Sequence, residues 1–222
     1  MMSSNTPTAG FADRGDAGRQ LAAQLLPLAE QKPIVVALPR GGVPVGVEIS
    51  AALGAPLEIL AVRKLGAPHN PEYGIGAIAE DGTRVLDPEA LAVLGIDGGV
   101  LESIIARETD EVRRRVAAYR GGRAPLPLAK RAVIVVDDGV ATGVTDTAAL
   151  RAIRRQGPRR TILAVPVCAA DSVPRLREEA DEVVCLVTPP LLYGIGHWYD
   201  DFSQVSDSEV LAALAPAGNA AA

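Results

Sequence analysis

An α/β fold, with a twisted and mainly parallel sheet flanked by helices, is the architecture this chain predicts, and three observations predict it. Short β-branched runs alternate with segments of helical periodicity along most of the 222 residues, as in strands that return to one sheet through covering helices. One run, Val133-Ile134-Val135-Val136, is apolar at every position, which suits a strand covered on both faces. Directly after it come two carboxylates, a loop of small and hydroxylated residues, and a helix opening at Asp146. In open α/β sheets such strand ends are where ligands bind.

Taken in order, Met1 to Gly10 and Ala215 to Ala222 read as tails, leaving one domain over residues 11–214, long enough for a substantial core. Ala17, Leu21, Leu25 and Leu28 recur at helical spacing, so a helix is expected from Asp13 to about Glu30, with Pro27 disfavouring its last turn. Strands are expected at Ile34–Leu38, Leu57–Val62, Val133–Val136, Thr161–Val167 and Val183–Val187, each apolar and rich in β-branched residues. Helices at Val43–Leu53, Asp146–Gln156 and Ser172–Ala180 lie between them. Lys64 to Tyr119 interrupts the alternation. It opens on a Gly/Pro-rich loop, Leu65 to Gly74, followed by short strands at Ile75–Ala79 and Thr83–Leu86. A helix from about Gly99 to Tyr119 follows, apolar at Val100, Ile104, Val112 and Val116, with a charged, solvated face carrying pairs such as Glu111–Arg115.

Composition narrows the function classes. A formal charge of −5 and a pI near 5.1 argue against a broad nucleic-acid-binding surface. Cys168 and Cys185 sit inside apolar runs without metal-ligand spacing or a disulfide framework. No apolar stretch is long enough to span a bilayer. Met1 to Gly10 lacks the basic and apolar regions of a signal peptide, so the expected compartment is the cytoplasm.

The strongest chemistry lies in Asp137-Asp138-Gly139-Val140-Ala141-Thr142-Gly143-Val144-Thr145. A tight loop running into a helix N-terminus offers unpaired backbone N–H groups and the positive end of the helix dipole to a phosphate. Thr142 and Thr145 add hydroxyl donors, while Gly139 and Gly143 permit close backbone approach. Asp137 and Asp138 then face neighbouring hydroxyls, so the pattern suits a phosphorylated sugar held at both ends. The competing reading is an ordinary turn in which Asp137 caps and Asp138 is solvated.

This segment resembles the ribose-phosphate signature of the type I phosphoribosyltransferases. The resemblance implies that fold, with a C-terminal hood over about residues 188–205 and a mobile loop. It also implies a reaction in which phosphoribosyl pyrophosphate and magnesium serve transfer of ribose 5-phosphate to a nitrogenous acceptor, with release of pyrophosphate. In that family the loop binds the 5-phosphate and the acid pair contacts the ribose hydroxyls.

Three further segments extend the resemblance. Arg40-Gly41-Gly42, just past the first core strand, combines a bidentate anion ligand with glycines that admit a ligand close to the backbone. It resembles the family's pyrophosphate loop, where a non-proline cis peptide is common. The Gly/Pro-rich loop after Arg63-Lys64 occupies the place of the family's mobile lid. There Arg63 and Lys64 would neutralise phosphate charge, and His69, Asn70 and Glu72 would reach the reacting centre. In the C-terminal stretch Thr188 to Phe202, four of the chain's few aromatic residues fall within ten positions, from Tyr193 to Phe202. A planar base needs such a surface to stack on. The stretch looks like the purine-type hood, with Trp198 or Tyr193 as the stacking residue and Asp200 or Asp201 as the magnesium-side acid.

On this reading the catalytic set is Asp137, Asp138, Lys64 and Glu72. Ala141 stands where hypoxanthine-guanine enzymes carry a carboxylate, so either another group moves the proton, with Glu72 and Glu80 as candidates, or the acceptor needs little proton help. A purine-like acceptor is preferred, and the partners are small molecules. Homodimers are common in the family, though no interface is legible here. The alternative is a non-catalytic relative of the same fold that binds a nucleotide or RNA.

Overall fold

The computed structural model describes residues 10–215, apart from the side chain of Glu72. The predicted tails lie outside that range except for Gly10 and Ala215. The first helix, α1, spans Arg14–Leu25 and gives way to a 3-10 turn over Leu26–Gln31. Pro27 sits at the start of that turn, which is why the helix stops short of Glu30. β1 (Ile34–Ala37), α2 (Gly42–Leu53) and β2 (Leu57–Ile59) follow. The run read as one strand to Val62 divides here: β3 (Val62–Ala67) leaves the main sheet and pairs antiparallel with β4 (Asn70–Ala79), itself paired with β5 (Arg84–Leu86).

Two helices, α3 (Pro88–Val93) and α4 (Gly98–Arg120), then lead to the strand–helix repeats β6 (Ala132–Val136), α5 (Val144–Arg154), β7 (Arg160–Val167), α6 (Val173–Glu179) and β8 (Glu182–Val187). A final helix, α7, covers Asp207–Leu214. Sequence periodicity missed α3 and α7 because they have only six and eight residues, too short for an apolar period to repeat clearly.

The main sheet is parallel throughout, in the order β2-β1-β6-β7-β8. Strand order reverses between β1 and β6, and a crevice at such a switch point, beyond the strand C-termini, is the place for a ligand. Both glycine-bearing loops emerge there, Leu38 to Gly41 from β1 and Asp137 to Gly143 from β6. The uniform apolarity of β6 follows from this central position. Val133 and Val135 pack towards α5, while Ile134 and Val136 pack towards α1 and α2 with Leu21, Leu25, Val45 and Ile49.

α5 is covered on two sides, by the main sheet and by Ala77 and Ala79 of the hairpin, which accounts for its run of small and apolar residues. Leu150 on this helix is fully buried. Leu150→Ala should therefore cost about 2–5 kcal/mol of stability, read as a fall in denaturant midpoint at unchanged slope.

The segment read as a Gly/Pro-rich mobile loop is instead largely the β3–β4 hairpin, with Pro68 and His69 at its turn. Leu65 and Ile75 are fully buried against Ile104, Ile105 and Val112 of α4. Gly66 serves close strand approach: a side chain there would run into the backbone of Pro71, at the point where the register shifts. On α4 the charged face is solvated only in part. Glu111 and Arg115 do pair, at 2.8 Å, but Glu108 is buried beneath Arg63 and Arg107.

Candidate functional site

β6 delivers Asp137 and Asp138 into the crevice, where both residues are partly buried. The Asp138 backbone N–H donates to Asp137 Oδ1 at 2.8 Å, and the Tyr199 hydroxyl donates to the Asp138 carbonyl at 2.6 Å. Burial, and then the neighbouring charges of Asp138 and Asp146, push the Asp137 carboxyl well above the ordinary carboxylate range. Burial also raises Asp138, opposed by Arg14, whose Nε lies 2.7 Å from Asp138 Oδ2.

The loop beyond is fastened at several points. Val140 N–H donates to the Val167 carbonyl (2.8 Å), and Ala169 N–H donates back to the Val140 carbonyl (2.9 Å). Ser172 Oγ donates to the Ala141 carbonyl at 2.6 Å, and the Arg175 guanidinium donates to the Thr142 carbonyl. Gly139 packs beneath the hood, since a Cβ there would come within 2.6 Å of Ile195 Cγ2. Gly143 caps α5 with a φ of 68°, a left-handed conformation that glycine adopts without penalty. The first N–H groups of α5 have no helix carbonyl one turn behind them, the arrangement by which a helix start binds an anion.

The β1 loop closes the opposite side. Its Pro39–Arg40 peptide is cis, the feature the resemblance implied. Gly42 lies against the β6 backbone, and a Cβ there would stand 2.5 Å from the Val136 carbonyl oxygen. Gly41 faces Asp138 so closely that a side chain would overlap its carboxylate. Arg40 reaches Asp207 of α7, Nη1 to Oδ1 being 3.6 Å. Asp207 also accepts from the Tyr119 hydroxyl at 2.5 Å and from Arg114 at 3.2 Å, contacts that hold its carboxyl below the usual range.

Of the hood residues, Tyr193 is 84% exposed, whereas Trp198 packs with Phe11, Tyr199 and Phe202. Asp200 is exposed, and Asp201 Oδ1 is bonded to Ser203 N–H at 2.8 Å. A cavity of about 420 Å³ opens beside the loop after β6, between Ala141 and Thr142, the start of α6 at Ser172 and Arg175, and Leu191 and Leu192 of the hood.

The hairpin candidates separate. Arg63 is paired with Glu108 (2.9 Å), and Lys64 is exposed on β3 beside Gly74. Glu72, as a side chain, lies outside the described residues. Glu80 is occupied structurally, bonded to Arg120 at 2.7 Å and to Ala61 N–H at 3.0 Å.

Sequence reasoning missed Arg14, Asp146 and Asp207. Asp146 occupies the third position of α5, 3% exposed, with Oδ1 unpartnered among the described residues. Burial pushes its carboxyl up to about 7, with the Asp138 charge adding to the shift and Arg175 opposing it. A carboxyl raised in the folded state stabilises the fold below its unfolded pKa, and that contribution is lost as pH rises through the folded value. Asp146→Asn should therefore raise the melting temperature at about pH 8, by the equivalent of roughly 1–3 kcal/mol, and change little at about pH 4. Thermal melts at both pH values check this.

Among the described residues no three His, Cys, Asp or Glu side chains converge as a metal cluster, and no helix is long and apolar enough to cross a membrane. The phosphoribosyl transferase domain model matches residues 12–190. A Mycobacterium tuberculosis protein whose name assigns it provisionally to the phosphoribosyl transferases is 46% identical over 204 residues, covering 92% of this chain and 46% of its own length. This chain thus spans about half the length of the curated relatives it matches. The crystal structure of TT1426 from Thermus thermophilus superposes with a TM-score of 0.76 at 44% identity, covering 92% of this chain and 97% of that one. AQ2163 from Aquifex aeolicus shares the fold at a TM-score of 0.50 and 15% identity, covering 90% and 86% of the two chains. With both glycine loops and the acid pair meeting at the switch point of the parallel sheet, and the domain model spanning well over half of the chain, the chain belongs to the phosphoribosyl transferase domain family.

Proposed function

We propose that this domain transfers ribose 5-phosphate from phosphoribosyl pyrophosphate to a ring nitrogen of a purine-like acceptor and releases pyrophosphate. The observation that carries the reading is the meeting of two ligand-accepting backbone loops at the β1–β6 switch point with an acid pair between them. The 5-phosphate takes the N–H groups at the start of α5 together with Thr142 and Thr145. The pyrophosphate lies on Gly41 and Gly42 with Arg40 alongside.

Asp137 and Asp138 orient the ribose hydroxyls and offset positive charge as the bond to the leaving group lengthens. Positioning and fixed electrostatics therefore supply most of the rate enhancement. The acceptor enters the cavity beside Ala141, and the exposed Tyr193, next in sequence to the lining residue Leu192, is the stacking ring. Trp198 is already packed in the hood and is the poorer candidate.

No three carboxylates converge among the described residues, so magnesium would be held chiefly by the donor's pyrophosphate and ribose oxygens, as suits an ion that takes only one or two protein carboxylates. Asp200 would hold the ion on the hood side, Asp201 being occupied with Ser203. When bound, the ion supplies charge neutralisation of the pyrophosphate.

The test is calorimetric titration of phosphoribosyl pyrophosphate, with and without magnesium, followed by a nucleobase screen for pyrophosphate release. Magnesium-dependent binding and release with one base support the reading. Binding without release from any acceptor would favour a non-catalytic relative, and absence of binding by folded protein would refute the donor site.

A further inference from the structure

Arg14 is the first residue of α1, 124 positions from Asp138 in sequence, and its guanidinium is held in three ways at once. Nε lies 2.7 Å from Asp138 Oδ2, Nη1 donates to the Ser203 carbonyl at 2.8 Å, and the guanidinium carbon stands 3.9 Å from the Phe202 ring centroid. The planar, forked guanidinium can serve all three, whereas an ammonium cannot. The side chains of the pair are only 11% and 13% exposed.

A buried ion pair of this kind is seldom retained for net stability, because desolvation of both charges offsets their attraction. Its location is more informative. Four segments meet at Asp138: α1 through Arg14, the β1 loop through Gly41, β6 itself, and the hood through the Tyr199 hydroxyl. The start of α1 is also stitched to the hood by backbone bonds from Phe11 N–H to the Trp198 carbonyl (2.7 Å), Asp200 N–H to the Phe11 carbonyl (2.8 Å) and Asp201 N–H to the Ala12 carbonyl (2.9 Å).

We propose that Arg14 is a positioning residue of the transfer reaction, fixing the Asp138 carboxylate in its ribose-facing orientation and coupling it to the acceptor hood. This rests on the function proposed above. With Oδ2 held by Arg14, the carboxylate is kept from turning away from a ribose hydroxyl. Because the same guanidinium is gripped by Phe202 and Ser203, a shift of the hood as the acceptor binds is transmitted to the acid that orients the donor. The titratable groups facing Asp138 are Arg14 from α1, Asp137 beside it, Asp146 from α5 and Tyr199 from the hood. Of these, Arg14 is the cation, and its loss leaves three carboxyls and a phenol together.

The test is the dissociation constant of magnesium–phosphoribosyl pyrophosphate for wild type, Arg14→Gln and Arg14→Lys, with thermal melts of each. Loss of a charge-assisted hydrogen bond should weaken donor binding by Arg14→Gln about ten- to a hundredfold, with Arg14→Lys in between. The ratio of variant to wild type cancels the donor's own ionisation. That ratio should be largest near about pH 6 and shrink towards about pH 9, because without Arg14 the acids hold a proton to higher pH.

A loss equal at every pH would assign Arg14 to the fold alone and overturn the proposal, as would a folded Arg14→Gln with unchanged affinity. Should that variant fail to fold, Arg14→Lys decides by the same pH-graded ratio, and wild-type affinity throughout overturns the proposal. A wild type that binds no donor overturns the functional reading and this proposal together, an outcome seen before any variant is made.

Discussion

Asp137→Asn is expected to lower turnover by about 10²–10³-fold while leaving the protein at least as stable as its parent at neutral pH. The two halves of this expectation have one cause. Burial and the charges of Asp138 and Asp146 raise the Asp137 carboxyl well above its ordinary range, so its ionised form is held against a cost that the fold bears. Stability from the raised carboxyl is present below its unfolded pKa and disappears as pH rises through the folded value. The asparagine keeps the shape and the acceptor for Asp138 N–H, so it removes that cost above the transition and changes little in acid. Melting temperature against pH, measured beside pyrophosphate release, separates the effects. Asp138→Asn should differ, since it strips Arg14 of its carboxylate partner and so loses roughly 1–3 kcal/mol of stability along with activity. The double variant should be hardly less active than either single one, since on the proposed function both acids serve one ribose. Full turnover by Asp137→Asn would remove the acid from the mechanism.

Gly41→Ala is the second large effect. Gly41 has φ −60° and ψ −37°, a helical conformation open to alanine, so the backbone offers no objection. The objection is steric, because the new methyl would overlap the Asp138 carboxylate. Either the β1 loop moves away from β6 or Asp138 turns off Arg14, and each outcome opens the crevice proposed to bind the donor. Donor affinity should fall by about a hundredfold or more, and overpacking should cost about 1–3 kcal/mol of stability. Gly54→Ala is the matching control. Gly54 ends α2 at φ 58° with nothing within 4 Å of a Cβ, so it should lose about 1 kcal/mol through backbone strain and keep its donor affinity. Calorimetric titration and denaturant melts of both variants check the contrast. Equal donor affinities would show that the contact between Gly41 and Asp138 is not needed for binding.

The sequence by itself determined the elements whose signal is local. β-branched runs fix strands because branched side chains pack well on a pleated surface, and the main-sheet strands were legible within a residue or two, save at Val62. Asp137 to Thr145 was legible as a ligand loop because strand, acids, glycines and helix start are contiguous, and Gly41–Gly42 because a strand must end before two adjacent glycines can turn. The hairpin was not. Leu65 to Gly74 reads as a loop from its glycines and prolines, yet it is held as strands by burial of Leu65 and Ile75 against α4. The choices within the hood also belonged to the tertiary structure, which packs Trp198 inward and leaves Tyr193 out.

The same holds for every charge that tunes the site. Arg14 reaches Asp138 across 124 residues, Arg40 meets Asp207 on a helix that periodicity missed, and Asp146 is buried at the start of α5 within the field of Asp137 and Asp138. Local sequence sets backbone preference and the order of chemical groups along the chain. Which charges are paired, desolvated or turned towards a ligand depends on distances between segments, and only the folded chain sets those.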